Sequence, residues 1–391
     1  MRPSPLMVSE PGSFAAYTMA VRVPGIIDGV IDANDYPPEI VSALRALAAE
    51  MAEGLVRPLR EDAADADFWR AAWDEHWRGK TWREMTWFHA ETYFYRRVLE
   101  AVQTFQPGPW QGNDPFAPHK RDALHEGLPM LAGLYDDDNP EMDLRERFLA
   151  RLRSSLWGNR VDLSNIAVVR NTEDNTGQRG DDLLLIDHSE AVWEILRHGV
   201  ARLDLVADNS GSELLTDLAL LDLVLAHDLA GEVHLHLKNY PFFVSDATPR
   251  DLDDTWQALL AASEPALNGL GERLVHWRDA GRIHVHDDPF WTRCLLFREM
   301  PDEVRRVLAQ ADLVIFKGDA NYRRLVDDAH WPFTSRPEEI AAYMPAPFVT
   351  LRTLKAEVMV GLPEGRAEEL YAEDPEWLVN GKHGVIHLVQ K

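Results

Sequence analysis

The stretch DLVIFKGDANYRRL, residues 312–325, begins as an apolar run and then passes directly into a lysine, a glycine and an aspartate. A short apolar run of this kind is typical of a strand buried inside a sheet. Lys317 and Asp319 therefore follow the predicted strand without an ordinary turn between them. An acid and a base at such a position belong either to a solvated loop or to a functional site.

Outward from this strand, short β-rich runs alternate with helical runs from about residue 160 to the end of the chain. The predicted strands are DLLLID (182–187), RLDLVAD (202–208), EVHLHLK (232–238), RIHVHDD (282–288), DLVIFKGD (312–319), PFVTLRTLK (347–355) and GVIHLVQ (384–390). Helical runs separate several of them, at 212–230, 266–281 and 301–311. This alternation predicts an α/β fold, with a mostly parallel sheet and helices on both of its faces.

Residues 1–155 have a different, helical texture. Amphipathic runs cover 38–55, 87–105 and 142–157, whereas the segments 107–119 and 133–143 are predicted loops. A tryptophan stripe recurs every four residues on one helix face, which usually indicates a core position: Trp69, Trp73 and Trp77. We therefore predict a helical N-terminal subdomain, residues 1–155, and an α/β domain, residues 156–391.

The composition restricts the partners of the chain. Its 391 residues carry a formal net charge of -25, which repels nucleic acid phosphates and anionic lipid, so neither is an expected partner. We expect no apolar run of the ~18 residues that a membrane span needs, and the first residues show no signal sequence. The single cysteine, Cys294, excludes an internal disulfide, sits in an apolar context typical of a core residue and fits a cytoplasmic protein. The oligomeric state is left open.

Polar side chains follow four of the predicted strands. In open α/β sheets, ligands bind outside the carboxyl ends of the strands, so these residues are candidates for one cleft. They are Asp208, Asn209, Ser210 and Gly211; then Lys238 and Asn239; then Lys317, Gly318 and Asp319; and finally Arg352, Thr353 and Lys355. Four strand ends that carry both acids and bases predict a site rather than ordinary solvated loops.

The side-chain chemistry favours a hard metal ion and a phosphate. Asp208 and Asp319 offer carboxylate oxygens and Asn209 offers a carbonyl oxygen, a ligand set that suits Mg²⁺ or Mn²⁺. Three cations can neutralise phosphate charge: Lys317, Arg352 and Lys355. The turn 210–212 opens a helix, and a helix N-terminus is a ready anion site. Together these features predict phosphoryl chemistry by electrostatic stabilisation.

Two H-x-H patterns offer a different metal site. His234 and His236 on one strand, and His284 and His286 on another, lie two residues apart, so each pair points to one face of its strand. A metal-dependent amidohydrolase would need further histidine and aspartate ligands on later strands, and the later strand ends here carry mainly cations. We therefore predict that these histidines are ordinary strand residues.

Seven stretches, from the helical half to the C-terminus, carry a family pattern. They are WFHAETYFYRR (87–97), WGNRVDLS (157–164), ADNSGSELLTDLAL (207–220), KNYPFFVSDAT (238–248), FKGDANYRRL (316–325), RTLKAEV (352–358) and NGKHGVI (380–386). Together they resemble the damage-control phosphatase family of metal-dependent α/β proteins, in its acidic-residue-methyltransferase-like branch. The resemblance implies a helical N-terminal part packed on a Rossmann-like α/β/α sandwich, which forms the catalytic domain.

The resemblance also implies a metal held by the catalytic residues Asp208, Asn209 and Asp319. Further substrate contacts are expected from side chains near this metal: Glu213, Lys317, Arg352, Thr353, Leu354, Lys355, Ala356 and Lys382. Members of the family hydrolyse small sugar phosphates such as fructose phosphates with Mn²⁺, Co²⁺, Ni²⁺ or Mg²⁺, so a small phosphorylated substrate and a divalent metal are expected. Ser210 and Ser212 depart from the family pattern, which affects only the expected shape of the substrate pocket.

Two rivals to the phosphatase remain, a methyltransferase and a non-enzymatic interaction protein, whereas a hydrolase triad is excluded. The branch name derives from a proposed methylation of protein glutamates with S-adenosylmethionine, but no G-x-G-x-G loop follows any predicted strand. A hydrolase triad from the HSE stretch (188–190) with Ser245 and Asp246 would need a G-x-S-x-G elbow, which is absent. The aromatic helical half could instead serve a non-enzymatic interaction protein. The sequence leaves open whether water or an aspartate attacks phosphorus, although the absence of D-x-D-x-[TV] at Asp208 favours water.

Overall fold

The structure, a computed structural model, describes residues 2–136, 142–158 and 183–390. Residues 159–164 of the WGNRVDLS stretch, and the first residue of the predicted DLLLID strand, therefore lie outside the described residues.

The described residues form one seven-stranded sheet in the order β1-β7-β6-β5-β2-β3-β4. The strands are β1 Leu184–Asp187, β2 Val200–Val206, β3 Ala230–His236, β4 Ile283–His286, β5 Leu313–Lys317, β6 Phe348–Thr353 and β7 Gly384–Val389. Neighbouring strands are parallel except β6 and β7. The predicted α/β class and the mostly parallel sheet are confirmed, and all seven strands lie where the β-rich runs predict them.

The α-helices lie before and between these strands. They are Phe14–Tyr17, Val23–Ala33, Pro38–Glu53, Ala66–Ala72, Trp87–Ala101, Ala117–Asp136, Leu144–Trp157, Ser189–Leu196, Ser212–Ala226, Pro249–Leu260, Pro265–Asp279, Asp302–Leu308, Gly318–Leu325, Pro337–Ile340 and Arg366–Glu373. Shorter π and 3-10 turns occupy Thr18–Arg22, Trp73–Trp77, Trp82–Glu84, Pro289–Thr292 and Phe297–Glu299. The helix Ala117–Asp136 runs through the first four residues of the predicted loop 133–143 and the last three of the predicted loop 107–119, so both loop predictions are wrong there. Residues 137–141 of the loop 133–143 lie outside the described residues.

The central strands of the sheet are buried because most of their residues are apolar. All five residues of β5 are buried, as are the last five of β2. Near-continuous apolar strands are typical of parallel sheets covered on both faces. The helices Ala117–Asp136 and Leu144–Trp157 contribute side chains to one of the cores that cover this sheet.

The first helices build a separate apolar core. Trp69 and Trp77 are fully buried there, and the Trp77 ring centroid lies 4.6 Å from that of Tyr93, which confirms the core role for both tryptophans. Trp73 is only half-buried. Cys294 is buried in the same core, as its sequence context predicts. The predicted domain boundary at 155/156 falls within the helix Leu144–Trp157, and the division into two units stays a prediction.

One helical stretch among the described residues, Phe14–Ala33, is long and apolar enough to cross a membrane by those two criteria alone. The sequence analysis expected no such stretch, because Arg22 and two aspartates interrupt its apolar residues. Val23, Ile27 and Val30 of this stretch are buried in the N-terminal core. A helix packed in a core and a signal sequence both meet the same criteria, so the expectation of no membrane partner stays a prediction.

Candidate active site

The carboxyl ends of β2 and β5 lie side by side, with Val206 paired to Phe316. Asp208 and Asn209 follow β2, and Asp319 lies in the first turn of the helix Gly318–Leu325 that follows β5. Adjacent parallel strands thus bring together the residues that the sequence predicts at one end of the sheet.

Gly318 allows this close approach. Its φ is +82°, and a Cβ at this position would lie 2.0 Å from Oδ2 of Asp208. A side chain here would clash with the carboxylate and would also adopt a left-handed backbone that L-residues disfavour. The Asp208 carboxylate therefore rests against the backbone that immediately precedes Asp319.

A cavity of about 500 Å³ opens over this pair of strand ends. Four of the predicted site residues line it: Asp208, Asn209, Asp319 and Lys355. The opposite wall comes from the N-terminal helices and includes Thr18, Arg22, Glu91 and Tyr95. A concave site of this volume, lined by convergent polar groups, is typical of a small-molecule pocket.

Asp208 is buried among other acids. Burial raises its pKa well above the ordinary aspartate value, and the negative charges of Asp246 and Glu213 raise it further. Lys238 lies behind this group and pairs with Asp246, with Nζ 3.2 Å from Oδ2. Asp208 thus lies among acids that raise the cost of its own negative charge, which is the electrostatic setting of a cation ligand.

Asn209 is held in one orientation by hydrogen bonds. Its Nδ2 donates to Oδ2 of Asp208 at 2.7 Å and to Oε2 of Glu213 at 2.8 Å. Its Oδ1 accepts a hydrogen bond from the Ser245 hydroxyl. The carbonyl oxygen retains a second lone pair for a further contact.

Asp319 is anchored through one of its two oxygens. Oδ1 accepts from Nε of Arg352 at 2.7 Å and from the backbone N–H of Lys355 at 3.2 Å. Among the described residues, no hydrogen bond reaches Oδ2. Arg352 is fully buried, and its remaining nitrogens donate to the carbonyls of Val358 and Ala356, so it positions Asp319 and does not line the cavity.

Lys317 does not face the cavity either. Its side chain is fully buried, with Nζ 2.9 Å from Oδ1 of Asp217 and 3.2 Å from Oε1 of Glu213. It also donates to the hydroxyl of Ser155 at 2.9 Å. Burial alone would lower its pKa, but the two carboxylates outweigh burial and raise it. This placement assigns Lys317 to the support of the site, whereas the sequence analysis expected a phosphate contact.

The other predicted substrate contacts also lie off the cavity wall. Glu213, Thr353, Leu354 and Ala356 are buried behind it, and Lys382 is exposed, with Nζ 2.8 Å from Oδ2 of Asp374. The helix-opening turn departs from its prediction too. Gly211 packs against Ala123, so closely that a Cβ would lie 2.7 Å from the Ala123 Cβ, and the turn does not line the cavity.

Several residues that line the cavity are not among the site residues predicted from the sequence. Arg323 donates to Oε2 of Glu91 at 2.6 Å and to Oδ1 of Asp328 at 2.7 Å, and its guanidinium lies 3.5 Å from the ring centroid of Trp87. This network joins the helix after β5 to the helix Trp87–Ala101. Thr18, Arg22 and Gly25, which also line the cavity, are spaced so that they lie on one face of a helix. This spacing is the sequence signal for them, but the local sequence does not indicate which part of the molecule that face packs against.

The histidines are arranged across strands rather than within each strand. His234 of β3 is in register with His284 of β4, and their rings stack at a centroid distance of 4.5 Å. Together with Glu232 they offer ligand atoms that all lie within 4.8 Å of one another. The H-x-H patterns suggest only pairs on one strand, so the combination of Glu232, His234 and His284 across two strands was not predicted.

Comparison with known proteins agrees with the fold and with the family pattern. The damage-control phosphatase ARMT1-like domain family matches residues 18–370. A relative from Danio rerio named damage-control phosphatase ARMT1 is 33% identical over 98% of this chain and 96% of its own length. The human protein of that name is 31% identical, with 98% of each chain covered. The chain therefore belongs to the damage-control phosphatase ARMT1-like family and is an enzyme of the phosphatase class.

A solved structure shows the same fold. The crystal structure of a DUF89 family protein from Pyrococcus horikoshii matches 95% of this chain and 98% of its own, with a TM-score of 0.51 and 14% identity. At this identity the likeness concerns the fold alone. The family resemblance that the sequence stretches predict is confirmed, and a phosphatase acts on a phosphorylated substrate.

Proposed function

We propose that this chain is a metal-dependent phosphatase of small phosphorylated metabolites, such as fructose phosphates, and that Asp208, Asn209 and Asp319 hold the metal. The observation that carries the proposal is the convergence of these three side chains on one wall of a 500 Å³ cavity. The preferred ions are Mn²⁺, Mg²⁺, Co²⁺ or Ni²⁺, and the proposed location is the cytoplasm.

The donor set fits a hard divalent cation. Oδ2 of Asp319 receives no hydrogen bond from the described residues, and Asp208 is a buried carboxylate with no ion pair among them. Asp208 accepts a hydrogen bond from Asn209 but has no counter-charge in direct contact among the described residues, and a buried carboxylate without an ion pair costs several kcal/mol, which a divalent cation would offset. When bound, such an ion supplies Lewis-acid polarisation of a phosphoryl oxygen and a lowered pKa of water.

Other side chains bind the phosphate, hold the metal-binding residues in position and orient the attacking water. Lys355 lines the cavity and is close enough to lower the pKa of Asp208, so its ammonium is positioned to bind the phosphate. Arg352 fixes Asp319, and Ser245 and Glu213 fix the amide of Asn209. Asp208 or Asp319 orients the attacking water, since no D-x-D-x-[TV] signature marks an aspartyl nucleophile at Asp208. The helical layer on the opposite wall limits the size of the substrate.

A phosphatase screen tests the proposal. The purified chain is stripped of metal and assayed against a panel of phosphorylated metabolites with Mg²⁺, Mn²⁺, Co²⁺ and Ni²⁺ in turn. We expect hydrolysis of small sugar phosphates only when a metal is added. Hydrolysis that is unaffected by metal removal would contradict the proposal. Calorimetric titration with S-adenosylmethionine separates the methyltransferase alternative, for which we expect no heat of binding.

A further inference from the structure

A ladder of four histidines lies on β3 and β4, away from the cavity. Their rings stack across the two strands, with centroid distances of 4.5 Å between His234 and His284, 5.0 Å between His234 and His286, and 4.8 Å between His236 and His286. The sheet order places β4 at the edge, next to β3. None of the four lines the 500 Å³ cavity that the described residues form. The phosphatase site therefore does not account for them.

The distances around Glu232 match those of a metal site. Its Oε1 lies 3.1 Å from Nε2 of His234, and its Oε2 lies 3.5 Å from Nε2 of His284. Four ligands at tetrahedral zinc distances of about 2.0–2.2 Å are separated from one another by roughly 3.3–3.6 Å. The two separations lie close to this range, and the ligand atoms of all three residues lie within 4.8 Å of one another, so small side-chain shifts would bring them around one ion.

The hydrogen bonds of the ladder are compatible with a metal on Nε2 of His234. This Nε2 donates to Oε1 of Glu232 at 3.1 Å, because a carboxylate only accepts, and a bound metal ion would replace this proton. Nδ1 of His234 would then carry the ring proton and donate to Nε2 of His286, 2.8 Å away. Ligating histidines usually donate their second N–H in this manner. Nε2 of His284 is buried and makes no hydrogen bond to the described residues. A buried nitrogen without a hydrogen bond is costly, and a metal would satisfy it.

Deeper residues hold the ladder in place. His236 contacts Oδ2 of Asp204 through Nε2 at 2.8 Å. Asp204 also accepts two hydrogen bonds from Arg202, at 2.6 and 2.8 Å. The ladder therefore rests on a buried, fixed base, while the Glu232 and His284 side chains are 42% and 39% exposed. The outer parts of these two side chains therefore face solvent, although Nε2 of His284 itself is buried.

We propose that Glu232, His234 and His284 bind one Zn²⁺ ion, or a similar borderline transition-metal ion, with water as a further ligand. Two imidazoles and one carboxylate suit such ions, whereas the oxygen ligands of the cavity suit Mg²⁺ and Mn²⁺. The ion would cross-link the edge strand β4 to β3. The net charge of -25 favours the approach of any divalent cation.

Metal titration of the full chain tests this proposal. Metal-stripped wild type, His284→Gln, Glu232→Gln and the control His198→Gln are titrated with Zn²⁺, and bound metal is counted after gel filtration. His198 is an exposed histidine that is not part of the ladder. We expect wild type and His198→Gln to bind one more equivalent of Zn²⁺ than the other two variants. Equal stoichiometry in all four proteins would overturn the proposal.

A spectroscopic measurement identifies the ligands independently of activity. Co²⁺ in a four- or five-coordinate site with nitrogen ligands absorbs visible light strongly, whereas six-coordinate Co²⁺ with oxygen ligands absorbs weakly. We expect the strong band in wild type and His198→Gln and its loss in His284→Gln and Glu232→Gln. The absence of a strong band in wild type, or its survival in both ligand variants, would overturn the assignment. Because Glu232 is half-exposed, its variant remains informative if His284→Gln folds poorly.

Discussion

At the carboxyl ends of β2 and β5, oxygen ligands lie beneath the N-terminal helices, whereas at the β3–β4 edge imidazoles lie partly in solvent. Both groups occupy the same sheet, but only the first lines the cavity that the N-terminal helices cover, whereas His236 and His286 line a separate cavity of about 390 Å³ beside the helix Asp302–Leu308. The difference teaches that the layer covering each pair of strand ends determines the pocket that forms there. It also separates oxygen donors, which suit hard cations, from imidazole donors, which suit borderline ones.

Buried and exposed ion pairs contribute differently to the stability of the protein. Beside the cavity, the buried acids Glu213 and Asp246 form ion pairs with the buried cations Lys317 and Lys238. Removing one member of a buried ion pair leaves an uncompensated charge and is strongly destabilising. Exposed pairs at the surface are worth little, because solvent screens them.

The largest expected effect comes from Lys317→Met, which leaves Asp217 and Glu213 unpaired. We expect a loss of about 3–5 kcal/mol in the free energy of unfolding, measured by urea denaturation. Lys382→Met is the matched control, because its ion pair with Asp374 involves a side chain that is 61% exposed. We expect it to change stability by less than about 1 kcal/mol. Similar losses in the two variants would show that Lys317 is not a structural cation of the site wall.

Gly318→Ala tests the close approach of the Asp208 carboxylate. The added methyl group would displace that carboxylate, and a misplacement of about 1 Å can lower activity roughly a hundredfold. Gly281→Ala is the matched control, because its φ is +69° and a Cβ there meets nothing within 4 Å. We expect both variants to lose some stability and only Gly318→Ala to lose kcat/KM. Unchanged kcat/KM in Gly318→Ala would contradict the packing described for this site.

Lys355→Met tests the phosphate contact. The methionine keeps the length of the apolar stem and removes the charge. Loss of a charge-assisted contact of ~2–3 kcal/mol lowers kcat/KM by about thirtyfold to more than a hundredfold. Steady-state kinetics on the best substrate of the screen measures this, with Lys80→Met as a control for the loss of an exposed positive charge. A change below about threefold would place Lys355 outside the phosphate site.

The part of the site that the sequence predicts follows from local rules. Apolar runs mark the strands, parallel order aligns their carboxyl ends, and Asp208, Asn209 and Asp319 follow two neighbouring strands. Their convergence on one cavity wall could therefore be predicted without knowing how distant segments of the chain pack.

The part that the sequence did not predict depends on tertiary packing. Lys317 belongs to β5 itself, and its side chain reaches Ser155 and Asp217 instead of the cavity. Arg22 enters the cavity wall only because the N-terminal helices dock over the sheet. The His234–His284 pair depends on the register of two strands that are far apart in sequence. In none of these arrangements does the local sequence indicate which distant residues the side chain meets.

The most direct test of the metal site is the hydrolysis of the best sugar phosphate by Asp319→Asn at saturating Mn²⁺. In this variant the asparagine Oδ1 can keep the hydrogen bonds from Arg352 and from the Lys355 N–H. A nitrogen that cannot bind a metal takes the place of Oδ2. We predict that kcat/KM falls at least about a thousandfold, a loss of roughly 4 kcal/mol in transition-state stabilisation, while thermal unfolding stays near that of wild type. Wild-type kinetics in this variant would show that Asp319 is not a metal ligand and that the catalytic site lies elsewhere.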